Sequence, residues 1–533
     1  MTNILNVKHL IKPDQDIMRG KMAVYGFTCL FSLVLFFTYT ATSDLLNDDG
    51  MNYIYAAQAL GDGLPELARS YREEVLFYNQ ITFLSSLTRL DLYPSAQLLS
   101  VFWQVILAMG FIAVTRSFDK SPLGQIIALA VFFSMMSLNH LRPDIIRGFG
   151  FWALQLWSVW AALRFSKYKG FAKYKAWRFA LLWLVLCCAS IIYRTEGIAY
   201  LVLIPVFYSL STPFASKHWI KITSAIIILA GIIGFSASHE PTNSRKIISE
   251  LTQPTNISSV NKWQRELNRL ELANSNFKQL KKDIGEVMPN KWAQRSVNDV
   301  LIGGFIFHVL ITLIKTLNTP LLALSFYRGN IQHAFLRNPQ HKLLTIYIAT
   351  GILVGLASVY SRYFVSTRYI MLPAILAGIP ISLVLSQTYQ SLMGSQQTRS
   401  RVWRYSLIAL PVLACAYPIS QQNNDKRYIQ DAGQWVGSHL KGEKGIYFNE
   451  QKVAFYASDY TNNSFKIEYQ GMQSLIQKGY RYAVLYESGT DSTPPFPQSG
   501  LTEYRLKTFQ NKRGRSVTLY KLPTPDTSSS TRN

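Results

Sequence analysis

The chain has 533 residues, 49% of them hydrophobic and only 16% charged, and carries a formal net charge of +24. Its apolar residues fall in blocks of about 17–25, the length that crosses a bilayer, which excludes an ordinary soluble protein and a disordered chain. The basic excess sits in every second short loop between these blocks, so it is a positive-inside topology signal and not a nucleic-acid surface.

In chain order, Lys8, Lys12, Arg19 and Lys21 precede a first block at 22–42. That block is long and lacks a small-residue cleavage site, so it reads as an anchor and not a signal peptide. Further blocks follow at 97–115, 122–138, 148–165, 178–192, 198–210, 219–237, 343–360, 369–386 and 405–420. A longer block at 300–326 carries Lys315, and with it the spacing predicts about eleven spans. Arg164, Lys167, Lys169, Lys173, Lys175 and Arg178 crowd one short loop, and Arg399, Arg401 and Arg404 another. Such loops suit the anionic headgroups of membrane lipids. The expected placement is a multi-pass protein of a bacterial inner (plasma) membrane, its N-terminus cytoplasmic and its C-terminus periplasmic. Cys29, Cys187, Cys188 and Cys415 all fall inside spans and form no disulfide framework.

The membrane region is expected to cover 1–421, with long outer loops at 43–96 and 238–300. The first loop is acidic: Asp44, Asp48, Asp49, Asp62, Glu66, Glu73, Glu74 and Asp91 outnumber Arg69, Arg72 and Arg89. Its patterns predict short helices on the membrane surface. In the second, Val260, Trp263, Leu267 and Leu270, then Phe277, Leu280, Ile284 and Val287, recur at spacings of three and four among lysines and arginines. That is a basic amphipathic helix, suited either to an interface or to packing on its own protein. From about 422 to 523 the composition turns soluble. A helix at 426–440, strands at 445–451 and 481–488, and a hairpin around NKRGR predict a small α/β extracytoplasmic domain. The Ser/Thr-rich tail, 524–533, is expected to be disordered.

The stretch LNDDGMNYIYAAQAL, Leu46 to Leu60, follows the first span directly. Asp49, Tyr53, Ala57 and Leu60 fall at helical intervals, so a helix starting near Asp49 would hold its carboxylate close to the membrane plane. Asp48 and Asp49 could simply cap that helix. Other ionisable clusters stand at the outer ends of other spans: Arg142, Asp144 and Arg147 in NHLRPDIIRG, Arg194 and Glu196 in YRTEG, and Arg362 and Arg368 in SRYFVSTRY. Arginine is disfavoured on that side, and charge near hydrocarbon is costly and usually functional. Local pairs, Arg142 with Asp144 and Arg194 with Glu196, could satisfy two of the five arginines. An anion could satisfy the rest, because guanidinium binds phosphate in a two-pronged way. With no Gly-rich phosphate loop in the sequence, the expected phosphate is that of a membrane-embedded polyprenyl-phosphate sugar. A carboxylate would then serve as general base and the arginines would neutralise the departing phosphate.

The sequence resembles the GT-C superfamily of membrane glycosyltransferases, and within it the group of lipid A aminoarabinose transferases and protein O-mannosyltransferases. DGMNYIYAAQAL resembles the group's first-loop acidic motif, D-E-x-x-Y-x-x-x-A-x-x-L, with Asp49, Tyr53, Ala57 and Leu60 in register. ELARSYREEVLFYNQITFLSSLTRL, RPDIIRGFGFWAL, YRTEGIAYLVLIP and TRYIMLPAILAGIP resemble later segments in the same order. The resemblance implies an α-helical polytopic GT-C fold and transfer of a sugar, with inversion, from a polyprenyl-phosphate-linked donor to a lipid, glycan or protein acceptor. It implies Asp49 as catalytic base with Asp48 in support. Arg368, then Arg362, Arg194 and Arg142, would bind the donor phosphate, and Glu73, Glu74, Tyr78, Asp144 and Glu196 would line the acceptor pocket. Gly50 stands where the motif has its second acid. His140 and His308 are isolated and form no zinc cluster; a divalent ion held by Asp48 and Asp49 with waters stays open. The competing readings are an O-antigen ligase or polymerase, which usually lacks the first-loop motif, and a flippase or transporter of lipid-linked glycans, which should show charges deep in its spans and repeated halves.

Overall fold

The computed structural model describes residues 13–43, 45–167, 173–211, 257–288, 291–317, 319–328, 338–393, 426–457, 471–487 and 504–523, with 409, 413 and 416. The expected span at 219–237, that at 405–420 apart from 409, 413 and 416, the basic segment 399–404, Asp44 and the tail lie outside these residues. The chain divides into two compact units. The first comprises Met1–Ser32, Trp103–His140 and Gly148–Ala416, and the second comprises Leu33–Phe102, Leu141–Arg147 and Tyr417–Asn533.

The chain opens with α1 (Pro13–Thr42), α2 (Asp48–Gly61), α3 (Pro65–Tyr71), α4 (Val75–Thr88) and α5 (Leu92–Thr115). Then come α6 (Pro122–Phe133), α7 (Met136–His140), α8 (Gly148–Lys167), α9 (Lys173–Tyr193) and α10 (Gly197–Ser211). They are followed by α11 (Ile257–Val287), α12 (Lys291–Thr316), α13 (Thr319–Arg328), α14 (Pro339–Arg362) and α15 (Thr367–Met393). Among the described residues, six helices are long and apolar enough to cross a membrane, within α1, α5, α9, α12, α14 and α15. Two shorter apolar helices, α6 and α10, accompany them. The block at 300–326 is not one span: the helix ends at Thr316 and a new one starts at Thr319, with Pro320 in its first turn. Proline lacks the N–H that a continuous helix would need there.

In the first unit, α8 is buried on all faces, as its apolar sequence all round requires. Helices α14 and α15 approach closely because Gly351 faces Pro373, whose ring atoms lie 2.9 Å from where a Cβ would sit. Small residues at helix crossings serve this purpose in membranes, where packing and not water drives association. The long amphipathic helix α11 packs on its own unit: Ala273 is buried, and Phe277 meets the rings of Phe305 and Tyr360.

The second unit holds α2, α3 and α4, in the segment where short helices were expected. It also contains α16 (Arg427–His439), β1 (Ile446–Phe448), α17 (Gln451–Tyr456), α18 (Met472–Gln477), β2 (Tyr482–Glu487), β3 (Arg505–Gln510) and β4 (Ser516–Lys521). The strands form one sheet in the order β1-β2-β4-β3, with β1 parallel to β2 and the remaining pairs antiparallel. Alternation sets its two cores. Val484, Val517 and Leu519 pack with Tyr428, Ile429, Ala432 and Val436 of α16 on one face, and Ala483, Leu485 and Tyr520 pack with Leu475 of α18 on the other.

Candidate active site

Helix α2 starts where the sequence placed it, but neither aspartate caps it. The N-cap residue is Asn47, whose side chain makes no capping bond. Its Oδ1 instead accepts from the Ile145 N–H at 3.0 Å and its Nδ2 donates to the Ile145 carbonyl at 3.4 Å. Asp48 and Asp49 occupy the first turn, where the helix dipole favours an anion. Asp49 accepts a hydrogen bond from Arg72 Nη2, and its side chain keeps 34% of its surface exposed. Asp48, 70% exposed, pairs with Lys452 Nζ at 3.0 Å.

Arg72 sits at the C-terminal end of α3, held by its own N–H to the Ala68 carbonyl. Its guanidinium lies 5.0 Å from the centre of the Tyr53 ring, a cation–π distance. Tyr53 is one turn beyond Asp49 and packs edge-on against Phe77 at 4.8 Å. Burial, the largest influence, pushes the Tyr53 hydroxyl up to about 12, with Arg147, Glu74, Arg72 and Asp49 all in electrostatic reach. Glu74 binds Arg147 Nη2 at 2.8 Å. Tyr78 is buried on α4 and its hydroxyl is also raised, by burial first, with Arg69, Glu66 and Glu74 nearby. The second unit therefore brings together Asp49, Asp48, Glu74 and Tyr78 with Arg72, Arg147, Tyr53 and Lys452. Glu73 is exposed, whereas Arg142 is 1% exposed in the 141–147 segment, where the Asp144 carbonyl accepts from Ser100 Oγ.

Helix α17 fixes the start of α2. Gln451 Nε2 donates to Asn52 Oδ1 at 2.7 Å, the Leu46 N–H donates to the Tyr456 hydroxyl at 2.8 Å, and Phe455 meets the Tyr55 ring edge-on. Sequence reasoning missed Arg72 and Lys452 as site members; it had Arg147 among the outer arginines and Tyr53 in the first-loop motif, each without a role of its own. Arg72 carried a signal, as a cation beside two acids in a predominantly acidic loop. Lys452 carried none, since only folding brings it to Asp48.

The first unit holds the remaining expected residues. Arg194, almost buried, donates to Glu196 from Nε at 3.3 Å and from Nη2 at 2.9 Å. Its guanidinium also stands 4.6 Å from the centre of the Tyr369 ring and 5.6 Å from that of Phe151. Arg362, exposed at the end of α14, donates to the same Tyr369 hydroxyl. Arg368 is half-buried in the first turn of α15. A cavity of about 750 Å³ opens beside them. Glu196, Arg362 and Tyr369 line it together with an apolar wall from Ile198, Leu272 and Val354.

Among the described residues no three of His, Cys, Asp and Glu converge. Asp48 and Asp49 each engage a side-chain cation. The His140 imidazole is held below the usual value by burial.

The arrangement of the chain is shared with a solved structure. The crystal structure of ArnT from Cupriavidus metallidurans in the apo state superposes with a TM-score of 0.55 at 11% identity, over 93% of this chain and 98% of that one. The chain has the fold of ArnT. ArnT from the same organism bound to undecaprenyl phosphate superposes with a TM-score of 0.51, also at 11% identity, over 92% of this chain and 97% of the other. The likeness is one of fold. No family model and no curated protein matches the sequence.

Proposed function

We propose that the chain is an integral-membrane glycosyltransferase that moves a sugar from a polyprenyl-phosphate donor to a lipid, glycan or protein acceptor on the outer face of the membrane. The observation that carries this reading is the placement of Asp49: a carboxylate in the first turn of α2, inside the cap position that Asn47 occupies, and held by Arg72. A general base must reach solvent or substrate, and the Asp49 side chain keeps 34% of its surface exposed. The ArnT fold over nearly the whole chain supports the same reading, and the ArnT complex with undecaprenyl phosphate supports a polyprenyl-phosphate donor.

In the proposed reaction the acceptor oxygen attacks the anomeric carbon opposite the lipid phosphate. The new C–O bond forms as the bond to phosphate oxygen breaks, so the configuration inverts. The acceptor proton passes to Asp49, and the electron pair leaves with the phosphate. Asp48 supports Asp49 by keeping Lys452 and α17 against the start of the helix. The phosphate falls to the arginine group: Arg368 and Arg362 first, then Arg194, which already has Glu196, and Arg142. The cavity beside Arg362 suits a lipid phosphate, having an apolar wall for a chain and a cation for its head. Glu74, Tyr78, Glu73 and Asp144 are assigned to the acceptor side.

The test compares wild type with Asp49→Asn for transfer of radiolabelled sugar from several polyprenyl-phosphate sugars into membrane acceptors. Asparagine keeps the size of the side chain, so protein levels hold while transfer falls by about 10²–10⁴-fold, the usual contribution of a general base. Undiminished transfer by the variant removes Asp49 from catalysis. No transfer from any donor by wild type returns the chain to the ligase and flippase readings.

A further inference from the structure

A second cavity, of about 590 Å³, lies wholly within the second unit, between the 40–46 segment and helix α16. Small-molecule sites occupy about 300–1,000 Å³. Arg427, Gln430, Asp431 and Gln434 line it from α16, and Tyr93 and Tyr456 line it from other elements. The four α16 residues fall at i, i+3, i+4 and i+7, one face of a helix. The opposite face, with Tyr428, Ile429, Ala432 and Val436, is spent on the sheet core, so this polar face is presented to the cavity.

The lining selects its ligand by chemistry. Arg427 and Asp431 pair across one helical turn at 3.9 Å, which leaves the face near neutral and gives no advantage to an anion. Apolar surface is minor, which disfavours a lipid tail. Two carboxamides one turn apart offer donors and acceptors in fixed planes, and two tyrosines offer rings with a polar edge. Neutral, hydroxyl-rich molecules use that combination.

We propose that this cavity binds a neutral saccharide, and that it holds the sugar of the acceptor. Tyr456 lines the cavity and accepts the Leu46 N–H. Leu46 is three residues before Asp49, so their Cα atoms are at most about 11 Å apart. A saccharide seated against Leu46 therefore lies within reach of the proposed base. Its identity as acceptor rests on the transferase reading, while its binding does not.

The experiment uses the full chain in micelles of a non-glycosidic detergent and saturation-transfer NMR with lactose, cellobiose and N,N′-diacetylchitobiose, with no donor present. Wild type transfers saturation to at least one disaccharide. The double variant Gln430→Ala/Gln434→Ala weakens binding about tenfold or more, having lost two carboxamide partners, and Asp431→Ala weakens it in parallel. These substitutions fall on the solvent-facing side of α16, and a symmetric size-exclusion peak confirms the folded protein. No signal from any of the three sugars in wild type, or equal signal in both α16 variants, overturns the proposal. Retained saccharide binding in a protein that transfers no sugar counts against the transferase reading alone.

Discussion

At position 50 a Cβ would lie 2.7 Å from Asn47 Oδ1 and 3.0 Å from the Ile145 Cβ. This explains why the second acid of the motif is missing: the Asn47–Ile145 clasp occupies its space. Gly50→Glu, which restores the motif letter for letter, is expected to lower stability by about 1–3 kcal/mol through overpacking. It should depress transfer instead of improving it, as read by thermal inactivation and by the sugar-transfer assay. Tyr53 carries a separate prediction. Its hydroxyl is raised from the ordinary 10.0 to about 12 in the folded protein. A group raised on folding contributes stability that is complete below its unfolded value and is lost as pH rises through the folded one. Unfolding monitored between pH 9 and 12 should therefore show an alkaline loss of stability above about pH 10, and Tyr53→Phe should remove that part of it. At this scale the sequence was legible for Asp49 and Tyr53, whose spacing follows from helix geometry. Asn47 hid its role because its partner is a backbone group almost a hundred residues away.

Of the interactions that tie α17 to α2, two differ sharply in magnitude. The Lys452–Asp48 pair is largely exposed at its Asp48 end, and such pairs contribute about 0–1 kcal/mol. Phe455 is buried and packs against Tyr55 and Tyr93, and emptying such a site costs about 3–5 kcal/mol. Phe455→Ala should therefore destabilise the protein strongly, whereas Lys452→Ala leaves the melting temperature nearly unchanged. If Lys452 positions Asp48 and the helix start, Lys452→Ala lowers kcat with little effect on donor KM, and Lys452→Arg restores it. Equal kcat in all three proteins would assign Lys452 to the surface alone. The elements themselves were largely readable from pattern: α16, β1, β2 and the β3–β4 hairpin formed where alternation and turn residues placed them. The break inside the 300–326 block was not read, because its apolar composition continues across Leu317 and only Pro320 marks the restart. The sheet order was also unreadable, since β1 joins β2 in parallel through segments with no pairing signal.

Six long apolar helices among the described residues and the fold that the chain shares with ArnT support a multi-pass membrane protein, and the sidedness of its basic loops makes a prediction for the whole molecule. In a variant freed of Cys29, Cys187, Cys188 and Cys415, a cysteine at Lys512 in the β3–β4 turn should react in intact cells with a membrane-impermeant thiol reagent. Labelling only after lysis would reverse the proposed orientation. Sequence length and hydropathy carried the membrane class. They did not carry the joining of residues 33–102 with the last hundred residues in one unit, because nothing local records a contact between Leu46 and Tyr456. That contact spans 410 positions, and it gives the protein a clock. At about 5–20 residues per second, roughly 20–80 seconds separate synthesis of the aspartates from synthesis of the helix that seats them. A chain still on the ribosome thus carries its proposed base unassembled, and sugar transfer should begin only when the last domain has been made.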